Sequence, residues 1–167
     1  MYKLFFCSLA LSFLFLSCSS DKNDDTNQEV ALNAIVGTWD ATELQINSTT
    51  ASDDAKFAEQ ILEFLTANDC NIITLQFNED LTATASNAAN YLEINATGTG
   101  LDIPCPTQSD TETSTYTFDG STVTTIDANG NTLVIGVTIE GNRMTVDATD
   151  LEIPNFTDSG QLIFVKR

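Results

Sequence analysis

The chain has 167 residues, with 24 acidic side chains against 6 basic ones, no histidine, and a formal net charge of −18. That charge repels phosphate backbones and anionic lipid head groups, which argues against nucleic acid and against charge-driven membrane docking. The lack of histidine removes the Ser-His-Asp and Cys-His arrangements of nucleophilic catalysis, so a protein that is not an enzyme and carries no cofactor is expected.

Lys3, a mostly apolar run from Leu4 to Leu16 and the small residue Ser17 have the layout of a secretory signal peptide over residues 1–17. The run is too short for a bilayer-spanning helix, which needs about 20 apolar residues. Its end, Phe15-Leu16-Ser17-Cys18, resembles the lipobox of bacterial lipoproteins, with Phe15 where these usually carry leucine. The resemblance implies cleavage before Cys18 and attachment of fatty acyl chains such as palmitate to that residue. The protein would then be lipid-anchored at the outer membrane, on its cell-surface or periplasmic face. Two or three acyl chains give the stable anchoring that one chain does not. Residues 18–33 read as a flexible tether, since Ser19 to Glu29 contains no apolar residue to offset its ordering entropy. Its acidic run behind the cysteine is also similar to the surface-export signal of lipoproteins in one phylum of Gram-negative bacteria. Losing Lys3 leaves 5 basic residues and a mature net charge of −19, on 150 residues that suffice for one domain with a real core.

Of the four cysteines, Cys7 lies in the signal and Cys18 would carry lipid, leaving Cys70 and Cys105. In an exported, oxidising setting these two pair as a disulfide that contributes about 3–4 kcal/mol. A metal or reactive-thiol site is the poorer reading, because two isolated thiols without an imidazole make a weak zinc site.

The folded domain, residues 34–167, opens with a strand over Ile35-Val36-Gly37-Thr38-Trp39 that continues through Ile46. Ala58, Ile61, Leu62 and Leu65 then recur at helical spacing, with Phe57 and Phe64 widening the stripe. Ser52 suits an N-cap and Asp53 and Asp54 suit the helix dipole, so an amphipathic helix is expected over Asp53 to Asn68. Short strands follow over Ile72 to Phe77, Leu81 to Ala85 and Tyr91 to Ala96, and a cysteine-pinned loop over Gly98 to Ser109. Thr115 to Phe118, Val123 to Ile126, Leu133 to Ile139, Met144 to Ala148 and Leu162 to Val165 complete the set. Asn78-Glu79-Asp80, Asp119-Gly120, Asn129-Gly130 and Gly141-Asn142 supply hairpin turns between them. The expected architecture is all-β: an antiparallel meander of about eight strands closing into a barrel, with one helix inserted after the first strand.

Gly37-Thr38-Trp39 at the start of the first strand resembles the lipocalin signature. The order of features is similar to that of small lipocalin-like lipoproteins of Gram-negative bacteria: this tripeptide, Cys70 before a strand, the turn at Asn78-Glu79-Asp80, Cys105, and the closing Leu162 to Lys166. The resemblance implies a calycin-type barrel, with Gly37 allowing a tight chain path and Trp39 packing across the closed floor. This chain departs from lipocalins in placing its helix early. The arginine that covers the tryptophan in that family has no counterpart by position, Arg143 being the sole internal arginine.

Three chemical readings can be weighed against simpler ones. Asp147, Asp150 and Glu152 are close enough in sequence for a glycosidase-like pair, but among 24 carboxylates such neighbours arise by chance. Asp127 to Asn131 alternates calcium-ligand types, yet its glycine sits at the wrong loop position, and Asn-Gly favours a hairpin turn. Phe57, Ile61 and Phe64 either pack against the sheet or form a candidate lid over a ligand cavity. The expected function is a monomeric, membrane-anchored protein that binds a small apolar ligand. The alternative is a non-enzymatic surface module recognising a protein or glycan partner.

Overall fold

The computed structural model describes residues 31–98, 100–127, 129–151, 153 and 156–167. The expected signal run, Cys18 and the expected tether up to residue 30 lie outside the described residues, as does Glu152. In chain order the elements are β1 (Gly37–Ile46), α1 (Asp53–Ala67), β2 (Ile73–Phe77), β3 (Thr82–Asn87), β4 (Asn95–Thr97), β5 (Gly100–Asp102), β6 (Asp110–Phe118), β7 (Thr122–Ile126), β8 (Thr132–Glu140), β9 (Arg143–Asp147) and β10 (Gly160–Lys166). Eight of the strands form a closed antiparallel barrel in the order β1-β10-β9-β8-β7-β6-β3-β2, the lipocalin-like arrangement expected of the pattern. β4 and β5 pair only with each other. That hairpin, whose described residues are all exposed, replaces the expected strand from Tyr91 and part of the loop after Gly98. Its residues have no apolar face to give the barrel, and Ala89–Tyr91 forms a 3-10 turn before it.

Strand alternation decides what the barrel contains. Leu75 and Phe77 pair with Ala85 and Ala83, Phe118 with Val123, Val137 with Val146, and Val146 and Met144 with Leu162 and Phe164, all on the inner face. A register shift between Ala41 and Glu43 in β1 keeps both Ala41 and Leu44 inward despite their odd spacing. Closure gives every barrel strand a neighbour on both sides, with the β6–β7 and β8–β9 seams paired over only part of their length.

Three short turns lie at one end, here the lower end: Asn78 to Leu81, Asp119 to Ser121, and Gly141-Asn142; the turn from Asp127 to Asn131 lies at the other. Three long connections, 47–72, 88–109 and 148–159, gather at the upper end. β1 begins at the lower end, preceded by a helical turn over residues 31–35. The expected strand start at Ile35 is therefore corrected to Gly37. The Val36 N–H donates to the Leu32 carbonyl at 3.0 Å, and Ala31 and Leu32 pack on the core, ahead of the expected domain start at residue 34.

α1 forms where the helical period predicted it. The Ser52 hydroxyl accepts from the Ala55 N–H at 3.1 Å, and Asp158 accepts from both the Ser52 N–H and hydroxyl at 3.0 and 2.6 Å. The helix packs on β1, and its Ile61, Leu62 and Leu65 join Leu44, Leu162 and Trp39 in one buried cluster. At its C-terminal end, Cys70 bonds to Cys105 with the Cα atoms 5.7 Å apart. The disulfide thus ties the approach to β2 to the approach to β6.

Candidate functional site

The two ends of the barrel differ in how their inner faces are filled. At the lower end the inward residues are large. Trp39 is fully buried, and its indole N–H donates to the Ile35 carbonyl at 2.7 Å. Phe77 and Tyr116 meet edge-to-face with ring centroids 5.0 Å apart, and the Tyr116 hydroxyl donates to the Asn78 carbonyl at 3.1 Å. Phe118, Met144 and Phe164 complete a closed floor. Burial, aided by the charge of Asp80, pushes the Tyr116 phenol above its ordinary value.

Gly37 and Trp39 share this floor with a residue that sequence reasoning missed. Lys166 pairs with Trp39 across β1 and β10. Its ammonium lies 5.2 Å from the indole centroid and donates to the Ala34 carbonyl at 3.2 Å. Gly37 has a φ of 136°, and a Cβ there would stand 2.5 Å from Cε of Lys166. The glycine therefore makes room for the lysine stem, and a lysine from the last strand provides the cation over the tryptophan. Only the β1–β10 register brings them together. Arg143 instead reaches Glu43 at 3.2 Å.

At the upper end the inner face is built from smaller side chains, and a cavity of about 510 Å³ remains. Its apolar wall comes from Ile73 and Leu75 of β2, Ala83 and Ala85 of β3, Leu133 and Ile135 of β8, and Leu151 and Ile153 beyond β9. β3 decides the volume. Its inward alternation is Ala83, Ala85, Asn87, so it contributes methyl groups opposite Phe77 and Leu75 where larger chains would fill the space.

The strands around this end also separate. β6 pairs with β3 along six residues but with β7 only from Tyr116 to Phe118. Above that point hydroxyls bridge the seam: Thr125 donates to the Thr115 carbonyl at 2.9 Å, and Ser114 donates to the Ile126 carbonyl at 2.8 Å. β8 pairs with β9 only from Val137 to Glu140, and the carboxylate of Asp150 accepts the Gly136 N–H at 3.3 Å. The upper β7–β8 hairpin is consequently held to its neighbours by side chains, which leaves the cavity open at its mouth.

Four carboxylates, Asp110, Glu112, Asp127 and Asp150, line the cavity, and no lysine or arginine stands among its described lining residues. Asp110 accepts from the Asn90 amide at 3.0 Å and from the Tyr91 hydroxyl at 2.7 Å, and these bonds hold its carboxyl below the usual range. Asp127 is occupied by its own turn, accepting from the Asn129 and Asn131 N–H groups at 2.9 and 2.7 Å. The segment from Asp127 to Asn131 is thus the expected hairpin turn. Asp147 likewise accepts from the N–H and hydroxyl of Thr149, and Asp150 serves β8, so these two carboxylates support backbone.

The expected lid is corrected. No residue of α1 lines the cavity. Ile61 is buried in the core, whereas Phe57 and Phe64 are 41% and 43% exposed on the helix surface. The helix is drawn onto β1 by its Ile61, Leu62 and Leu65 stripe, which turns the two phenylalanines outward. The Cys70–Cys105 disulfide forms as expected.

No protein-family model, curated protein or solved structure matches this chain.

Proposed function

We propose that this is a lipid-anchored, non-enzymatic binding protein that takes a small, largely apolar molecule into the upper half of its barrel. The observation that carries the reading is the cavity of about 510 Å³ with walls of Ile, Leu and Ala side chains, within the size range of small-molecule sites. Its walls are preformed by paired strands, so a ligand need not order them. The alternative, a module recognising a protein or glycan partner, would be favoured by a barrel filled to its mouth.

The likeness of Gly37-Thr38-Trp39 to the lipocalin signature supports the same reading, as does a tryptophan floor covered by a cation. The sequence Phe15-Leu16-Ser17-Cys18 supports attachment through acyl chains on Cys18, at the outer membrane. The lining of the cavity, with Glu112, Asp110 and hydroxyls at its mouth, points to a ligand with an apolar body and a polar end. Native mass spectrometry of the protein after exposure to a lipid extract tests the reading. A stoichiometric adduct that is lost in Ala85→Phe, whose ring would occupy the cavity, is the expected result. A clean apo mass, or an adduct unaffected by Ala85→Phe, refutes it.

A further inference from the structure

We propose that the cavity, taken as the ligand site described above, selects amphiphiles with a cationic head and rejects those with a carboxylate head. The described basic residues are Lys56, Arg143, Lys166 and Arg167. Lys56 lies 3.8 Å from Asp53 on α1, Arg143 reaches Glu43, Lys166 covers Trp39, and Arg167 is bound to Asp40. None of them lines the cavity.

From residue 57 to residue 142 the sequence contains no lysine or arginine at all, and this stretch supplies β2, β3, β6, β7 and β8, most of the cavity wall. The side chains at the mouth that carry charge are all acids. Asp110 and Glu112 stand on β6 in register with Asn87 and Ala85 of the inner face, and Asp127 and Asp150 stand across from them on the β7–β8 side. Glu112 has no hydrogen-bond or ion-pair partner among the described residues, so its charge is uncompensated at the mouth.

An amphiphile whose apolar body fills the Ile73, Leu75, Ala85 and Ile135 region would have its head beside these carboxylates. A protonated amine is attracted there, and a hydroxyl finds acceptors and donors in Ser114, Thr125 and Asn87. A carboxylate meets like charge with no guanidinium or ammonium to receive it, and like-charge juxtaposition is unfavourable. The interaction acts over a Debye length, so it weakens as salt rises.

Three probes of equal chain length separate the head from the tail: decylamine, decanol and decanoate, titrated calorimetrically into the protein at low ionic strength. The expected order of affinity is amine, then alcohol, then carboxylate, with decanoate at least tenfold weaker than decylamine and the gap narrowing in high salt. Glu112→Gln should reduce the amine-to-alcohol ratio. Asp119→Asn, which removes one charge at the opposite end of the barrel, should leave that ratio alone, separating the mouth from the general acidity of the chain. Equal affinity for decylamine and decanoate, or an equal response to both variants, overturns the head-group selection while the cavity stands as an apolar site. Failure of all three probes to bind overturns the ligand site itself.

Discussion

Removing the Cys70–Cys105 bond should cost this domain about 4 kcal/mol. The two cysteines are 35 residues apart in sequence, and closing a loop of that size in the unfolded chain removes about 13 cal/mol/K of entropy. At room temperature this is about 4 kcal/mol, a large share of the 5–15 kcal/mol typical of a domain. With an unfolding entropy of about 0.3 kcal/mol/K for some 140 residues, the midpoint should fall by about 13 °C. The double variant Cys70→Ala/Cys105→Ala, followed by urea denaturation, measures the loss. Its m-value should rise, because the unfolded chain is no longer cross-linked and exposes more surface. Cys70 is 2% exposed, so its truncation adds a small void of its own. Chemical reduction of the unaltered protein controls for this, since it opens the loop without removing atoms. A loss below about 1 kcal/mol in both experiments would refute the loop-entropy reasoning.

Further consequences concern the floor and the pH response. Trp39→Phe leaves the Ile35 carbonyl without its donor and shrinks a fully buried ring, so it should destabilise by about 2–4 kcal/mol in denaturant melts. Lys166→Met keeps the stem beside Gly37 but removes the charge over the indole, and should cost about 1 kcal/mol and shift Trp39 emission. Tyr91, bonded to Asp110, and Tyr116, buried, both have phenols raised above the ordinary value near 10. Their contribution to stability is present below that value and is lost as pH rises through the higher folded-state values, which a near-ultraviolet absorbance titration alongside alkaline melts will follow. Asp119 is held below the usual carboxylate range by the N–H groups of Ser121 and Thr122. Its contribution is present above the unfolded carboxylate value and is lost as pH falls through the lower folded one. Asp119→Asn should therefore flatten the acid limb of a stability–pH profile.

Strand alternation, turn dipeptides and the helical stripe with its Ser52 cap were sufficient to read the barrel and α1 from the sequence. The helical turn over residues 31–35 was not legible, because Ile35-Val36 has β-branched chemistry and the turn is held by tertiary contacts, the Trp39 indole bond to the Ile35 carbonyl and the Lys166 bond to the Ala34 carbonyl among them. The floor cation was hidden by distance: Lys166 lies 127 positions from Trp39, and nothing short of the β1–β10 register joins them. For the cavity the helix drew attention through its aromatics, yet the residues that determine it are the small ones. The alternation Thr82-Ala83-Thr84-Ala85 was the available signal, since an inward face of alanines in a barrel strand leaves space unless a neighbour fills it. The acidic mouth was obscured by the general excess of acids, though the absence of any basic residue from 57 to 142 was in plain view.

An apolar ligand that enters the upper barrel must touch its inner wall. Methyl-labelled NMR spectra of the protein during titration with decanol test it directly. Methyl signals of Ile73, Leu75, Ala85, Leu133 and Ile135 should shift together and saturate at one equivalent, while those of Leu65 in the helix packing and Ile163 on β10 stay in place. Unmoved wall methyls, or shifts confined to exposed residues such as Val134 and Leu101, would contradict the claim.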